Sequence, residues 1–513
     1  MTTQGQDPAP PGPAPGALAD RARGRVTLWL GPLLALGVWL LPLPLPDEAH
    51  RLAAVMALVV TWWIGEPVPP AVTALLGPTL AMLLGALPAA VPARDAAKVA
   101  FKGFGDPILM LFMGGFFIAE ALTVHGLDRR FAMRVLAIPA VGASPARVVA
   151  GLGIVACALS MWVSNTATTA LLIPIARGVL RLMHGKDGAP PGRLDAVCML
   201  MLPFAATVGG LGTPVGTAPN LIGMAELERA GHGVSFLSWM AITLPLVLAM
   251  MVALVLLLGR DLPRGQVGFH LHAQEELRRI GPWRRGEVIT AVAFGLAVLG
   301  WIGTGVVNLL GSRFPAAEAW CEGHLSEGGI GLLAAALLFL VPTERGRPTL
   351  TWPEAARIDW GTLLLLGGGL SLGGLVKDTG LAEAIGKGVV QGLGVSSTWA
   401  LVAVSAFLAI ALSELSSNTA TATLLVPTVI GIANTAGVSP VPPALAATIG
   451  CSFGFMLPIS TPPNALAYAT GLVPITTMVR RGAVFDLIGF ALIVAGILLL
   501  LPWLGPDLPG AVR

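Results

Sequence analysis

From Phe236 to Leu258 the chain runs without one charged side chain. About 20 apolar residues in helical form cross a bilayer core. In hydrocarbon every backbone N–H and C=O must be paired within the protein, which leaves helices and closed barrels as the spanning structures. The apolar runs of this chain are continuous rather than alternating, which excludes a barrel. Of 513 residues, 55% are hydrophobic and only 12% charged, where a soluble domain carries about 25% charged residues. The sequence therefore reads as an all-α polytopic membrane protein whose first partner is the lipid bilayer. Its net charge of +3 points to no nucleic-acid partner. Four scattered cysteines, mostly within apolar runs, read as small hydrophobes rather than a disulfide framework or metal site.

Along the chain, residues 1–25 are expected to form a disordered cytoplasmic tail ending in Arg21, Arg23 and Arg25, since positive flanks stay inside. A first transmembrane helix occupies 26–47. A first repeat follows over 48–260, a basic cytoplasmic connector over 261–285 and a second repeat over 286–505. Each repeat holds an interrupted apolar segment, 147–184 and 398–434. After it comes an apolar run broken by glycine and proline, 196–222 and 444–469. Flanks of one sign, Arg147 before and Arg181 and Lys186 after, make the first interrupted segment a re-entrant hairpin. A Gly- or Pro-rich gap inside an apolar run marks a discontinuous helix. The expected total is about eleven spans plus two hairpins.

The repeat rests on three landmarks in one order. Ser164-Asn165-Thr166-Ala167-Thr168 returns 253 positions later as Ser417-Asn418-Thr419-Ala420-Thr421. Thr217-Ala218-Pro219-Asn220 is matched 244 positions on by Thr461-Pro462-Pro463-Asn464. Gly114-Gly115 recurs as Gly368-Gly369, 254 positions on. Five crossings separate the two hairpins, an odd number, so the repeats are inverted, as in many secondary transporters. Arg345, Arg347, Arg357, Arg480 and Arg481 then fall inside and Glu318, Glu322 and Glu327 outside; Arg94, Lys98 and Lys102 fall outside, against the rule. One Ser-Asn-Thr alone would read as packing glue between helices. Two copies, each followed by a broken helix, read as a binding site.

Interrupted helices leave backbone groups without intrahelical partners. Their N-termini favour anions, while freed carbonyls and hydroxyls suit Na⁺. Asn165 and Asn418 offer amides, Thr166 and Thr419 hydroxyls, and neither motif contains Lys, Arg or His. The oxygens of Ser160, Ser164 and Asn165, with a carbonyl near Gly216, fit a hard monovalent ion; soft metals would ask for Cys or His. An anion held by neutral donors would have its charge offset by co-bound cations, a physical reason for cation-coupled anion transport. Nothing in the patches supplies a nucleophile–base pair, so the chain is expected not to be an enzyme. Glu414, an acid at membrane depth, fits equally a functional group and a brace for the hairpin. Lys377-Asp378 reads as a solvated pair at a span end, and the glycine tract 367–374 as close helix packing.

With Leu159-Ser160-Met161-Trp162-Val163-Ser164-Asn165-Thr166-Ala167-Thr168-Thr169, the second Ser417-Asn418-Thr419-Ala420-Thr421, Leu457-Pro458-Ile459-Ser460-Thr461-Pro462-Pro463-Asn464-Ala465 and the early Trp62-Trp63-Ile64-Gly65-Glu66-Pro67-Val68-Pro69, the chain resembles the divalent anion/sodium symporter family. The likeness runs over nearly all of it after residue 25. It implies a homodimer in the inner membrane, with a scaffold and a mobile transport domain working as an elevator. It implies sodium-coupled uptake of a divalent carboxylate such as succinate, fumarate or malate, or else of citrate or sulfate; a sodium-independent dicarboxylate exchanger is the alternative. At least two Na⁺ are expected. By family pattern one uses Ser160, Ser164, Asn165 and Gly216, the other Ser413, Ser416, Asn418 and Ser460. Substrate would meet Ser164, Asn165, Thr166, Thr217, Ala218, Ser417, Asn418, Thr419, Thr461 and Pro462. Ser413 stands where some members have Thr, and Ser460 where some have Ala. The exchangers replace an ion with a basic side chain, and none sits beside either motif here.

Overall fold

A computed structural model describes residues 17–184, 192–260, 262, 268–311, 313–393 and 397–504. They form α-helices and short 3₁₀ turns, with no named strand among them. The helices are α1 (Ala17–Leu40), α2 (Asp47–Gly65), α3 (Pro70–Leu83), α4 (Ala96–Ala100), α5 (Pro107–Val124), α6 (Leu127–Leu136), α7 (Pro145–Ser160) and α8 (Asn165–His184). Next come α9 (Arg193–Gly210), α10 (Ala218–Arg229), α11 (Phe236–Gly259), α12 (Phe269–Ile280), α13 (Arg285–Leu309), α14 (Pro315–His324), α15 (Glu327–Leu340) and α16 (Trp352–Ala355). The last are α17 (Trp360–Asp378), α18 (Leu381–Leu393), α19 (Thr398–Leu415), α20 (Asn418–Thr435), α21 (Val441–Gly450), α22 (Pro462–Ala469) and α23 (Ile475–Leu504). Eight of them, α5, α8, α9, α11, α13, α17, α19 and α23, are long and apolar enough to cross a bilayer, and five shorter apolar helices accompany them among the described residues.

Local chemistry sets the boundaries. Pro lacks an N–H and has its φ fixed for the first helical turn, and it opens α3, α5, α7 and α22. Ser144 caps α7 by accepting from the Arg147 N–H, and Ser397 caps α19 by accepting from Ala400. The two caps are again 253 positions apart. Each interrupted segment is thus two helices meeting at a Ser-Asn-Thr tip, α7–α8 and α19–α20. Each broken run is a helix pair with a non-helical gap, α9–α10 and α21–α22.

Some expectations change. The tail expected to residue 25 gives way at Ala17, where α1 already begins; residues 1–16 lie outside the described ones. The connector over 261–285 holds α12, whose Gln274 donates to the Ala137 carbonyl and whose Glu276 pairs with Arg129 of α6. Its polar and apolar residues recur at helical rather than spanning length, so it lies against α6. Lys377 is not merely a solvated partner of Asp378: its ammonium donates to the Arg229 carbonyl at 2.8 Å. Arg229, closing α10, pairs with Asp106 at 2.9 Å, the residue that caps α5. Charge at one end of the bundle thus joins α10, α5 and α17.

The glycine tract of α17 packs as expected. A methyl on Gly368 would overlap the Ala74 carbonyl oxygen in α3, so that backbone would have to move. The core lies between α7, α9, α11, α19, α21 and α23, where Phe204, Phe453, Phe455 and Phe485 are fully buried. Outward, Leu248 on α11, Leu299 on α13 and Leu487 on α23 are 66%, 70% and 70% exposed. Leucines left bare on apolar helices fit a lipid surround rather than water.

Candidate functional site

The two tips and the two gaps meet. A cavity of about 830 Å³ is lined by Ser164, Asn165 and Thr166 of the first tip and by Ser416 to Thr419 of the second. Gly216, Thr217 and Ala218 line it from one gap, and Ser460, Thr461 and Pro462 from the other. All ten expected substrate residues face this one cavity. Of the expected ion ligands, Ser160 and Ser413 lie just behind it, at the ends of α7 and α19, and are fully buried.

Four helices start here: α8 at Asn165, α10 at Ala218, α20 at Asn418 and α22 at Pro462. The first turn of a helix has N–H groups with no intrahelical acceptor and partial positive charge. Four such ends around one space favour an anion without any basic side chain. The charged groups of the lining are Glu66 and Asp359, with no Lys or Arg. Both are exposed, one just past the end of α2 and the other capping α17, so they mark the mouth.

Behind each asparagine is a cluster of oxygens. The Ser160 hydroxyl donates to Asn165 Oδ1 at 2.6 Å, and the Ser413 hydroxyl lies 2.6 Å from Asn418 Oδ1. Ser413 Oγ is also 2.7 Å from the Cys451 carbonyl. One hydroxyl has one proton and can serve only one of those two acceptors. Three oxygens so placed leave a surplus of lone pairs, which suits a small hard cation. On the first side, a methyl built on Gly210 would sit 2.7 Å from Asn165 Oδ1 and 3.3 Å from the Gly216 carbonyl oxygen. Only glycine leaves that space open.

The gaps are held by a second pair of asparagines. Asn220 Nδ2 donates to the carbonyls of Gly210 and Thr213, both at 2.8 Å. Asn464 Nδ2 donates to Gly454 at 2.7 Å and Leu457 at 3.1 Å. Each buried amide nitrogen thus serves two loop carbonyls and fixes a non-helical loop, while the amide oxygens of Asn220 and Asn464 are buried without a partner. Both had marked the repeat in the sequence, but their role as clamps needed the fold. Glu414 is a brace: it accepts from the Phe455 N–H, from the Met456 N–H at 2.8 Å and from Ser460 Oγ at 2.7 Å. Ser416 is turned into its own helix, donating to the Leu412 carbonyl at 3.0 Å. The lining also takes in Trp162, which stands within the first motif, and Phe112 and Phe116, which nothing near the motifs announced.

Comparison with known proteins then decides the family. Residues 26–505 match the family described as sodium:sulfate symporter transmembrane region. The chain belongs to that family. It is a multi-pass membrane transporter and not an enzyme. A sodium-dependent dicarboxylate transporter of Staphylococcus saprophyticus is 31% identical to it, covering 93% of this chain and 91% of that one. The transporter of the same name from Staphylococcus aureus (strain bovine RF122 / ET3-1) is 30% identical over the same shares. Among solved structures, the Alcanivorax borkumensis YdaH transporter aligns over 94% of this chain and 98% of its own, with TM-score 0.49 and 18% identity.

Proposed function

We propose that this family member couples Na⁺ entry to the uptake of a four-carbon dicarboxylate such as succinate, fumarate or malate. The observation that carries the reading is the cavity itself: four helix N-termini and two Ser–Asn oxygen clusters, with no basic residue in the lining. A dianion there is held by backbone N–H groups, the amides of Asn165 and Asn418, and the hydroxyls of Thr166 and Thr419. Its charge is offset by one Na⁺ at Ser160, Asn165 and Gly216 and a second at Ser413, Asn418 and the Cys451 carbonyl. Ser164, Ser416 and Ser460 adjoin those ions, and Thr217, Ala218, Ser417, Thr461 and Pro462 shape the space between. The Staphylococcus relatives, whose names give sodium and dicarboxylate, support both halves of the reading. A sodium-independent exchanger would put a fixed cation in place of an ion, and the lining offers none.

The proposal places the protein in the inner membrane with its N-terminus in the cytoplasm. It moves the two hairpins, the broken helices, α11 and α23 as one body against the rest, in a homodimer. The matching caps, tips and asparagine clamps of the two halves support an inverted repeat of the kind that alternates access.

The test is uptake of labelled succinate into proteoliposomes under an inward Na⁺ gradient, with K⁺ as the control, each with and without internal succinate. Uptake that needs Na⁺ and no internal substrate is expected. Uptake that ignores Na⁺ and needs internal dicarboxylate would overturn the ion sites and leave an exchanger.

A further inference from the structure

The mouth of the cavity lies where α2 ends and α17 begins, at Glu66 and Asp359. Toward the other end of α17, about 26 Å along its axis at 1.5 Å per residue, stands a cluster of charge that lines none of the cavity. Arg229, the last residue of α10, pairs with Asp106, the cap of α5, at 2.9 Å and with Glu226 of its own helix at 3.3 Å. Its guanidinium also donates to the Leu370 carbonyl of α17. In the reverse direction Lys377 of α17 donates to the Arg229 carbonyl at 2.8 Å. The side chains of Asp106, Arg229 and Glu226 are 16%, 24% and 8% exposed, so salt screens them less than it screens surface pairs. A contact of the same kind lies close by. Seven positions after Arg229, where α11 begins, the Phe236 N–H donates to Glu327, the first residue of α15, at 2.7 Å.

Each of these contacts, apart from Arg229–Glu226, joins a helix of the body proposed above to move, α10 or α11, to one of the frame, α5, α15 or α17. Within its own body α10 is held by close packing: a methyl on Gly223 would overlap the Thr448 side chain of α21. Packing of that kind yields only by deforming its surroundings. Against the frame α10 presents ion pairs and hydrogen bonds, and Gly373 leaves room for Glu226, whose carboxyl oxygen a methyl there would meet at 2.7 Å. Polar contacts at an interface can be broken and remade as one rigid body shifts against another. With the N-terminus in the cytoplasm, α1 leads out and α2 leads back, so the mouth faces the cytoplasm and the charge cluster faces outward. We propose that Arg229, with Asp106, Lys377 and the Phe236–Glu327 contact, is a lock that keeps the cavity shut on the outer side and is released when the site opens there. The proposal rests on the moving body and the orientation given above, and not on which ion or anion is carried.

The experiment reads access to the cavity from each side. The full-length chain carries Ile459→Cys, a lining position that is 61% exposed, together with Cys321→Ser; the other three cysteines are buried. A membrane-impermeant maleimide is added to whole cells and, separately, to inverted vesicles, and the rate of labelling is measured. Asp106→Asn keeps a side-chain oxygen to cap α5 and removes the charge that Arg229 pairs with. It is expected to speed labelling from outside at least about tenfold, a shift of about 1.4 kcal/mol in the population open there. Labelling from inside should stay within about twofold. Lys377→Met should speed outside labelling at least about threefold, and it decides the matter if Asp106→Asn does not accumulate. Outside labelling at the parent rate overturns the proposal. So does labelling quickened equally from both sides, the mark of a loosened bundle rather than a released lock. Succinate uptake by the same cells separates this from the proposed coupling. Uptake that ignores Na⁺ would overturn the coupling and leave the lock supported by faster outside labelling. Na⁺-driven uptake with outside labelling unmoved would overturn the lock alone.

Discussion

The two tips are built alike where they touch the cavity and differently behind it. In both, a serine at the end of one helix lies 2.6 Å from the amide oxygen of the asparagine that opens the next. In both, an asparagine of the neighbouring broken helix clamps two carbonyls of its gap. In both, a hydroxyl reaches the carbonyl of the residue after that serine: Thr213 to Met161, and Ser460 to Glu414. The side chains at those two positions are the difference. Met161 is apolar, while Glu414 brings a buried charge that gathers the loop after α21. The first gap closes on itself with the short turn Pro214–Gly216. The second is longer, from Cys451 to Thr461, and takes an acid to hold. Duplicated chemistry at the cavity thus coexists with supports fitted to each loop's length.

The comparison breaks most sharply at the asparagines. On the proposed function, Asn165→Ala and Asn418→Ala should each reduce Na⁺-driven succinate uptake at least about thirtyfold, since each leaves a buried serine hydroxyl without its amide acceptor, about 2 kcal/mol. Near-normal uptake in either variant would show that the tips are not equivalent. Asn220→Ala and Asn464→Ala come next. Each strands two buried carbonyls and should lower stability by about 1–3 kcal/mol, seen as similar falls in Tm; a fall on one side only would mean that one gap is held by something else.

Glycine sharpens the contrast. A methyl at Gly210 meets the Asn165 amide oxygen at 2.7 Å, but at Gly454 the nearest atom is Ser460 Cβ at 3.1 Å. Gly210→Ala is expected to raise the Na⁺ concentration for half-maximal uptake about tenfold, and Gly454→Ala about threefold, overpacking costing about 1–3 kcal/mol where neighbours cannot yield. Flux measured against Na⁺ concentration orders them, and the reverse order would refute the first cation cluster. The smallest effects fall on the hydroxyls. Thr213→Val should cost about 1 kcal/mol in thermal stability. Ser460→Ala should cost more, because its hydroxyl serves the Glu414 carboxylate as well as the carbonyl; equal losses would remove Glu414 from the account of the second tip.

Much of the site was legible because the repeat writes it twice. Ser-Asn-Thr, the prolines and the Gly-Pro gaps stand within a few residues of the helix ends they create, and caps and breaks are local effects. Asn220 and Asn464 were visible as landmarks but not as clamps, since their acceptors were fixed only once each gap folded back on its own helix. Phe112 and Phe116 gave no signal: an aromatic residue in an apolar run reads alike whether it faces lipid, core or cavity. The helix α12 is masked in the sequence by the charge of its basic connector, whose arginines outweigh the helical period of its few apolar residues.

The sequence by itself determined the membrane-spanning helical class, the repeat, the places where helices break and the identity of the polar groups released there. These follow from hydrocarbon's demand for paired backbone and from the short reach of caps and prolines. Tertiary structure decided which released groups face one another across the cavity and that Glu414 braces the Phe455–Met456 loop. Such pairings depend on how helices distant in sequence pack, where a turn of about 100° per residue decides which side chain meets which.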